Sequence, residues 1–250
     1  MHGEQGFGDM IQFARYLPLL PQDGSVVIRV QRPLVRLLAD GPGVGRVVAL
    51  DDPVPDADLV CASMSLPLLL NLPDPVSCPV KVPYLTANPA QVAAWRARLD
   101  ALPGRKVGLV WTGNPNRPRM DRRRSVPIEA LAGLADIPGI TWISLQKDAA
   151  PRGVMAERLV DWGGASGDFR DTAGLVAGLD LVISVDTAMV HLAGALGRPV
   201  WLLNRADTCW RWLLGRDDSD WYPTLRQFRQ DCPGAWDAPI RRLSDALRAW

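Results

Sequence analysis

The chain has 250 residues, with 28 Lys and Arg against 27 Asp and Glu and a formal net charge of +1. So even a balance leaves no long-range field to draw in nucleic acid or an anionic membrane surface, which disfavours partners of that kind. Hydrophobic residues make up 48% and charged residues 22%, a composition that can bury one core or two small ones and excludes disorder as the resting state.

In chain order, Met10, Phe13, Ala14 and Leu17 recur at helical spacing, VVIRV (Val26 to Val30) reads as a short buried strand, and PLVRLLAD after Gln31 as a helix. RVVAL (Arg46 to Leu50) and ADLVCA (Ala57 to Ala62) are further predicted strands. Pro67, Pro73, Pro75, Pro79 and Pro83 then exclude long regular elements. QVAAWRARLDAL (Gln91 to Leu102) is a predicted amphipathic helix, stopped by Pro103 and Gly104. A new unit opens with the strand KVGLVW (Lys106 to Trp111). It runs through a polar, arginine-rich loop, a helix from about Pro127 and the strand ITWISLQK (Ile140 to Lys147). RLVDW, the helix DTAGLVAGLD, the strand LVISV (Leu181 to Val185), the helix TAMVHLAGAL and PVWLL (Pro199 to Leu203) follow. Short Val, Ile and Leu runs alternating with helices call for parallel sheets covered on both faces. Two doubly wound α/β units are expected, residues 1–103 and 104–250, with the last helix able to pack back on the first unit.

Cys61, Cys78, Cys209 and Cys232 show no CxxC spacing and only two histidines are present, so the sequence encodes neither a zinc site nor a dithiol motif, and no cofactor is expected. The longest apolar stretch, Leu181 to Leu203, carries Asp186, His191 and Arg198 and is interrupted by Gly197 and Pro199, which disqualifies it as a membrane span. The opening MHGEQGFGD has no basic or apolar leader region, so a cytoplasmic location is expected. The 10 Trp outnumber Tyr and Phe together, a surplus that composition does not explain.

Three segments can carry chemistry. In LVISVDTAMVHLAGALG a buried strand ends at Val185, Asp186 takes a natural N-cap position and a helix starts at Thr187. The N–H groups of such a helix start, with the Thr187 hydroxyl beside them, suit a phosphate or diphosphate, and His191 falls on the same face. Simple capping accounts for Asp186 and Thr187 equally well. In HGEQGFGDMIQFARYLPLL, Gly3, Gly6 and Gly8 allow close backbone approach and Asp9 stands where the loop becomes a helix; the spacing is not GxGxxG, and a structural turn fits as readily. The loop TGNPNRPRMDRRRSVP holds Arg117, Arg119, Arg122, Arg123 and Arg124 at a strand's carboxyl end, where an anion would be received, although such runs are commonly solvated. Lys147 occupies the same sheet edge. Two DxD patterns, Asp56/Asp58 and Asp218/Asp220, are read as surface residues.

Taken together, EQGFGDMIQFARYLPLL, VGLVWTGNPN with DRRRSVP, WISLQK and DTAGLVAGLDLVISVDTAMVHLAGALGRPVWLL resemble the lipopolysaccharide heptosyltransferase family, glycosyltransferase family 9. The resemblance is closer still to the glycosyltransferase-like modules at the C-terminal end of bacterial tetratricopeptide-repeat proteins, which the late WRWLLGRDDSDWYPTLRQFRQ also fits. It implies a GT-B fold, two Rossmann-like domains facing a cleft. Family members carry a hydrophobic strand just before the EQGFGD loop; here Met1 and His2 stand in its place, so a small N-terminal sheet lacking its first strand is expected.

The resemblance also implies roles. Asp9 matches the catalytic base, in the loop of Gln5, Gly6 and Gly8. Asp186, Thr187 and His191, with Ala188 between them, match the donor-binding helix start. Arg124 falls where the family has a basic residue before a Trp-Pro pair, here Val126-Pro127, and Arg123 matches nearly as well. Lys147, Thr112 and Asn114 join the donor side. The implied activity is inverting, metal-independent transfer from a nucleotide-diphosphate sugar to a glycan, lipopolysaccharide or protein acceptor. An inert nucleotide-sugar or glycan binding module and a sugar-nucleotide epimerase are the alternatives.

Overall fold

The structure is a computed structural model that describes residues 1–41, 45–114 and 121–250; Arg117 and Arg119 lie outside them. Two parallel sheets organise the chain. The larger has six strands, β3 (Arg105–Val110), β4 (Ile140–Ser144), β5 (Leu159–Asp161), β6 (Leu181–Val185), β7 (Val200–Asn204) and β8 (Leu225–Arg229), in the order β5-β4-β3-β6-β7-β8. Every neighbouring pair in it is parallel. That order reverses between β3 and β6, the topological switch point at which open α/β sheets hold ligands.

The strands alternate faces as their burial requires. In β6 and β7 all five residues are buried. Val182, Val200 and Leu202 join one apolar core with Trp95, Leu175 and Leu192, while Leu181, Ile183, Trp201 and Leu203 join a second with Leu131, Leu243 and Leu247. The first face is covered by α4 (Pro89–Leu99), α6 (Phe169–Ala177) and α7 (Ala188–Ala195). The second is covered by a 3-10 helix (Ile128–Leu134) where an α-helix was expected, by α5 (Gly153–Arg158), which the sequence reading did not identify, and by α8 (Asp237–Ala249). The last helix packs on β8 and the 3-10 helix. Its apolar stripe, Leu243 and Leu247, is complementary to that outer face.

The smaller sheet pairs β1 (Val27–Val30) with β2 (Arg46–Ala49), flanked by α1 (Phe7–Phe13) and α2 (Val35–Ala39), with α3 (Leu66–Leu69) beyond. His2 forms one-residue parallel bridges to both Arg29 and Ala62. The lane beside β1 is taken by Met1, His2 and Gly3: the Met1 amino group donates to the Val27 carbonyl at 2.8 Å, the Arg29 N–H to the Met1 carbonyl at 2.9 Å and the Gly3 N–H to the Arg29 carbonyl at 2.6 Å. The strand expected over Ala57 to Ala62 is reduced to that bridge: Leu59 and Val60 are 89% and 71% exposed, because His2 offers pairing to Ala62 alone. Met10 and Ile11 of α1, Ile28 and Val30 of β1 and Leu37 of α2 belong to the same apolar core as α4, α6 and α7, so one face of the large sheet is continuous with the small unit. Among the described residues no helix is long and apolar enough to cross a membrane.

Candidate functional site

The switch point is built first by the turn after β3. Gln146, just past β4, accepts from the backbone N–H groups of Trp111 and Thr112 (3.3 and 3.1 Å), and the Thr112 and Ser125 hydroxyls lie 2.9 Å apart. A Cβ on Gly113 would fall 2.2 Å from Asp121 Oδ1 and 2.8 Å from Arg124 Nε, so only glycine leaves room for the ion pair that follows. Asp121 grips the Arg124 guanidinium, and Arg124 donates to the backbone carbonyl of Asp186. Arg123 points elsewhere, to Asp207 at 3.0 Å. Geometry thus selects Arg124 as the arginine at the start of α7.

That start differs from the expectation in one respect. Thr187, not Asp186, is the N-cap: its Oγ1 accepts from the Met189 N–H at 3.3 Å and meets the Ser184 hydroxyl at 3.0 Å, and the helix begins at Ala188. Burial pushes the Asp186 carboxyl above its usual range, against the pull of the Trp212 indole N–H and of the Arg124, Arg211 and Arg205 guanidiniums. His191 is 4% exposed, stacks on Trp212 at 5.4 Å between ring centroids, and places Nδ1 2.9 Å from the Tyr222 hydroxyl. Burial and the charges of Arg211 and Arg124 push it down to about 3, so at neutral pH it is a neutral imidazole and not a cation for phosphate.

Asp9 comes to this point from the other unit. It is the third residue of α1, and Oδ2 accepts from the backbone N–H of Gly6, the residue before the helix, at 2.8 Å. Gln5, in the left-handed region at φ +63°, turns the loop into this helix. Gly8 is the contact point: a Cβ there would lie 2.7 Å from His191 Cδ2 and 3.4 Å from the Ala188 Cα. Close packing of α1 on α7 therefore requires glycine at 8 and brings its neighbour Asp9 next to the α7 opening.

Arg211 then closes the arrangement. Its guanidinium pairs with Asp9 Oδ1, donates to Gln12 Oε1 and lies 4.6 Å from the Trp210 ring.

Two candidates, Asn114 and Lys147, remain. Asn114 is exposed at the end of the turn after β3. Lys147 donates to the Ser166 carbonyl at 2.9 Å; with β3 between β4 and β6, it stands about 10 Å to the side by strand spacing. It borders a cavity of about 430 Å³ lined by Arg32, Pro33, Val35 and Arg36 from the small unit and Gly167 and Asp168 from the large one, where Arg36 pairs with Asp168 at 3.0 Å. Of the DxD patterns, Asp218 and Asp220 are both taken by Arg216. Among the described residues no group of three or more His, Cys, Asp or Glu could hold a metal ion.

Arg211, Gln12, Trp212 and Tyr222 were not singled out from the sequence. Their signal was the aromatic surplus: Trp210, Trp212, Trp221 and Tyr222 fall within 13 residues of one another, and periodicity gives no reason for such a cluster in a loop.

A Rossmann-ordered parallel sheet, met across a seam by a second parallel α/β unit, is a GT-B type of fold. Comparison with known proteins agrees. The sequence model of glycosyltransferase family 9 (heptosyltransferase) matches residues 167–206. Protein FlbA of Caulobacter vibrioides is 31% identical over 277 aligned residues covering 98% of this chain and 45% of FlbA, so the chain spans less than half the length of that curated relative. Among solved structures, E. coli ADP-heptose lipopolysaccharide heptosyltransferase II superposes with a TM-score of 0.67 at 13% identity, covering 99% of this chain and 96% of that one. E. coli heptosyltransferase WaaC with ADP gives 0.54 at 15% identity over 100% and 98%.

Proposed function

We propose that the chain transfers a sugar from a nucleoside-diphosphate donor to an acceptor hydroxyl of a glycan, lipopolysaccharide or protein, acting in the cytoplasm with inversion and without a metal. Residues 1–103 are the acceptor side and residues 104–250 the donor side. The observation that supports this most is the packing of Gly8, the neighbour of Asp9, against Ala188 and His191 at the α7 opening. The diphosphate docks at Thr187 and Ala188, with Arg124 beside it and Lys147 flanking the donor. WaaC was solved with ADP, which makes an adenine nucleotide the first donor to try.

In the transfer step the acceptor oxygen attacks the anomeric carbon as its proton passes to Asp9, and the bond from that carbon to the phosphate oxygen breaks. Charge grows on the departing diphosphate. Fixed donors aimed at it, such as the helix start and Arg124, are worth roughly 2.7 to 4 kcal/mol each. The pairing of Asp9 with Arg211 favours a second reading, a binding module without turnover, because a carboxylate engaged by a guanidinium has a lone pair withheld from an acceptor.

The test is a thermal-shift panel of ADP, UDP, GDP and CMP with their sugar conjugates, followed by transfer or donor hydrolysis with the best ligand, with and without EDTA. Turnover that survives EDTA, is abolished in Asp9→Ala and leaves nucleotide binding intact is the expected outcome. Binding without turnover would establish the inert module. Turnover at the parental rate in Asp9→Ala would remove Asp9 as the base, and loss in EDTA would remove metal independence.

A further inference from the structure

A line of buried polar groups at the α1–α7 seam has no part in the mechanism above. His191 Nδ1 is 2.9 Å from the Tyr222 hydroxyl, that hydroxyl is 3.3 Å from the Tyr84 hydroxyl, and Tyr84 donates to the Ile11 carbonyl at 3.2 Å. All three side chains are buried, so a contact left without a proton carries the cost of an unsatisfied buried group.

Counting protons sets the direction of the line. Each tyrosine has one hydroxyl proton, and a carbonyl can only accept. Tyr84 uses its proton on Ile11, so its oxygen must accept from Tyr222. Tyr222 then has no proton left for the ring, and its oxygen must accept from His191 Nδ1. Any other assignment leaves two acceptors facing each other at 3.2 or 3.3 Å, or, at the ring, an acceptor pair at 2.9 Å.

We infer that Tyr84 and Tyr222 are positioning residues that fix His191 as the neutral Nδ1–H tautomer, leaving the Nε2 lone pair beside Gly8 as an acceptor for a ligand hydroxyl. The ring's place supports this: a Cβ on Gly8 would lie 3.4 Å from Nε2, so the free nitrogen sits at the backbone that leads into Asp9. A lone pair there repels phosphate oxygens and receives O–H. The group it recognises is a sugar hydroxyl, while the diphosphate falls to Thr187 and Arg124. This ligand assignment rests on the function proposed above; the tautomer does not.

The experiment is 15N–1H correlation of the imidazoles in the full chain at pH 7, where His191 shares the spectrum only with His2 and a His2→Gln variant separates the two. A protonated Nδ1 and a bare Nε2 are expected. In Tyr222→Phe the Nδ1–H loses its acceptor, and in Tyr84→Phe the Tyr222 proton is released to turn onto Nδ1, so both variants move the ring proton to Nε2. A parental ring protonated at Nε2, or a tautomer unmoved in both variants, overturns the inference. Calorimetry with ADP and ADP-heptose tests the ligand: loss of one hydrogen bond in Tyr222→Phe should weaken ADP-heptose about fivefold and leave ADP unchanged. Equal loss for both ligands overturns the hydroxyl assignment. A parental chain that binds neither ligand overturns the proposed function and that assignment together, while the spectrum still decides the tautomer.

Discussion

Acid should weaken this fold through His191, and by an amount that can be worked out. The folded protein holds the ring neutral, pushed down to about 3, whereas the unfolded chain takes up a proton near its ordinary value of 6.5. Between those values the unfolded state binds more protons, so the stability His191 contributes is full above pH 6.5 and is lost as pH falls toward 3. For one such group the loss between pH 7 and pH 5 is about 2 kcal/mol. The assay is urea unfolding of the parent and of His191→Gln at both pH values. Taking the difference between the two proteins cancels His2 and the carboxylates common to both. Asp186, raised by burial, acts in the opposite sense, since it favours the fold as pH falls, and it too cancels. The parent should lose about 2 kcal/mol more than the variant. A differential of less than about 0.5 kcal/mol, or one of opposite sign, would refute the claim that His191 is buried and neutral.

Three further substitutions probe the same seam. Gly8→Ala forces a methyl group to within 2.7 Å of the His191 ring and should cost about 1 to 3 kcal/mol in the denaturation midpoint, as overpacking does. Thr187→Val removes the α7 cap and should cost about 1 kcal/mol while weakening nucleotide binding in calorimetry; unchanged affinity would detach the helix start from the donor. Arg211→Ala leaves Asp9 and Gln12 without their shared partner. Breaking a well-buried pair costs about 3 to 5 kcal/mol, and with the Asp9 side chain 22% exposed the lower end is expected. A double-mutant cycle with Asp9→Asn isolates the pair, and coupling near zero would show that the contact does not hold in solution.

The large sheet was legible in the sequence because its strands are buried on both faces. LVISV and the PVWLL run became β6 and β7 almost residue for residue, since a continuous apolar run between turn signals has few other uses. Strands at the margins were harder to read. ADLVCA has the composition of a strand but meets only His2, and composition carries no information about whether a partner exists. LRQFR became β8 although its polar residues mask the pattern: Gln227 is buried by hydrogen bonds to Asn204 and to the Trp212 carbonyl, not by apolar contact. Asp186 was read as the cap because residue type favours it equally; Thr187 takes that place while the half-buried Asp186 carboxyl sits among Trp212 and three arginines brought in from distant loops.

By itself the sequence determined the α/β alternation, the turn after Trp111, the helix opening near Thr187 and the acidic residue of the glycine loop, all of which follow from local propensity and period. Only the tertiary structure decided that Arg124 and not Arg123 reaches that helix, that His191 is neutral and turned toward α1, and that Arg211 meets Asp9 from 202 residues away. Those outcomes depend on which side chains share a buried volume. That is set by sheet order and helix packing across the whole chain, and neighbours in sequence do not encode it.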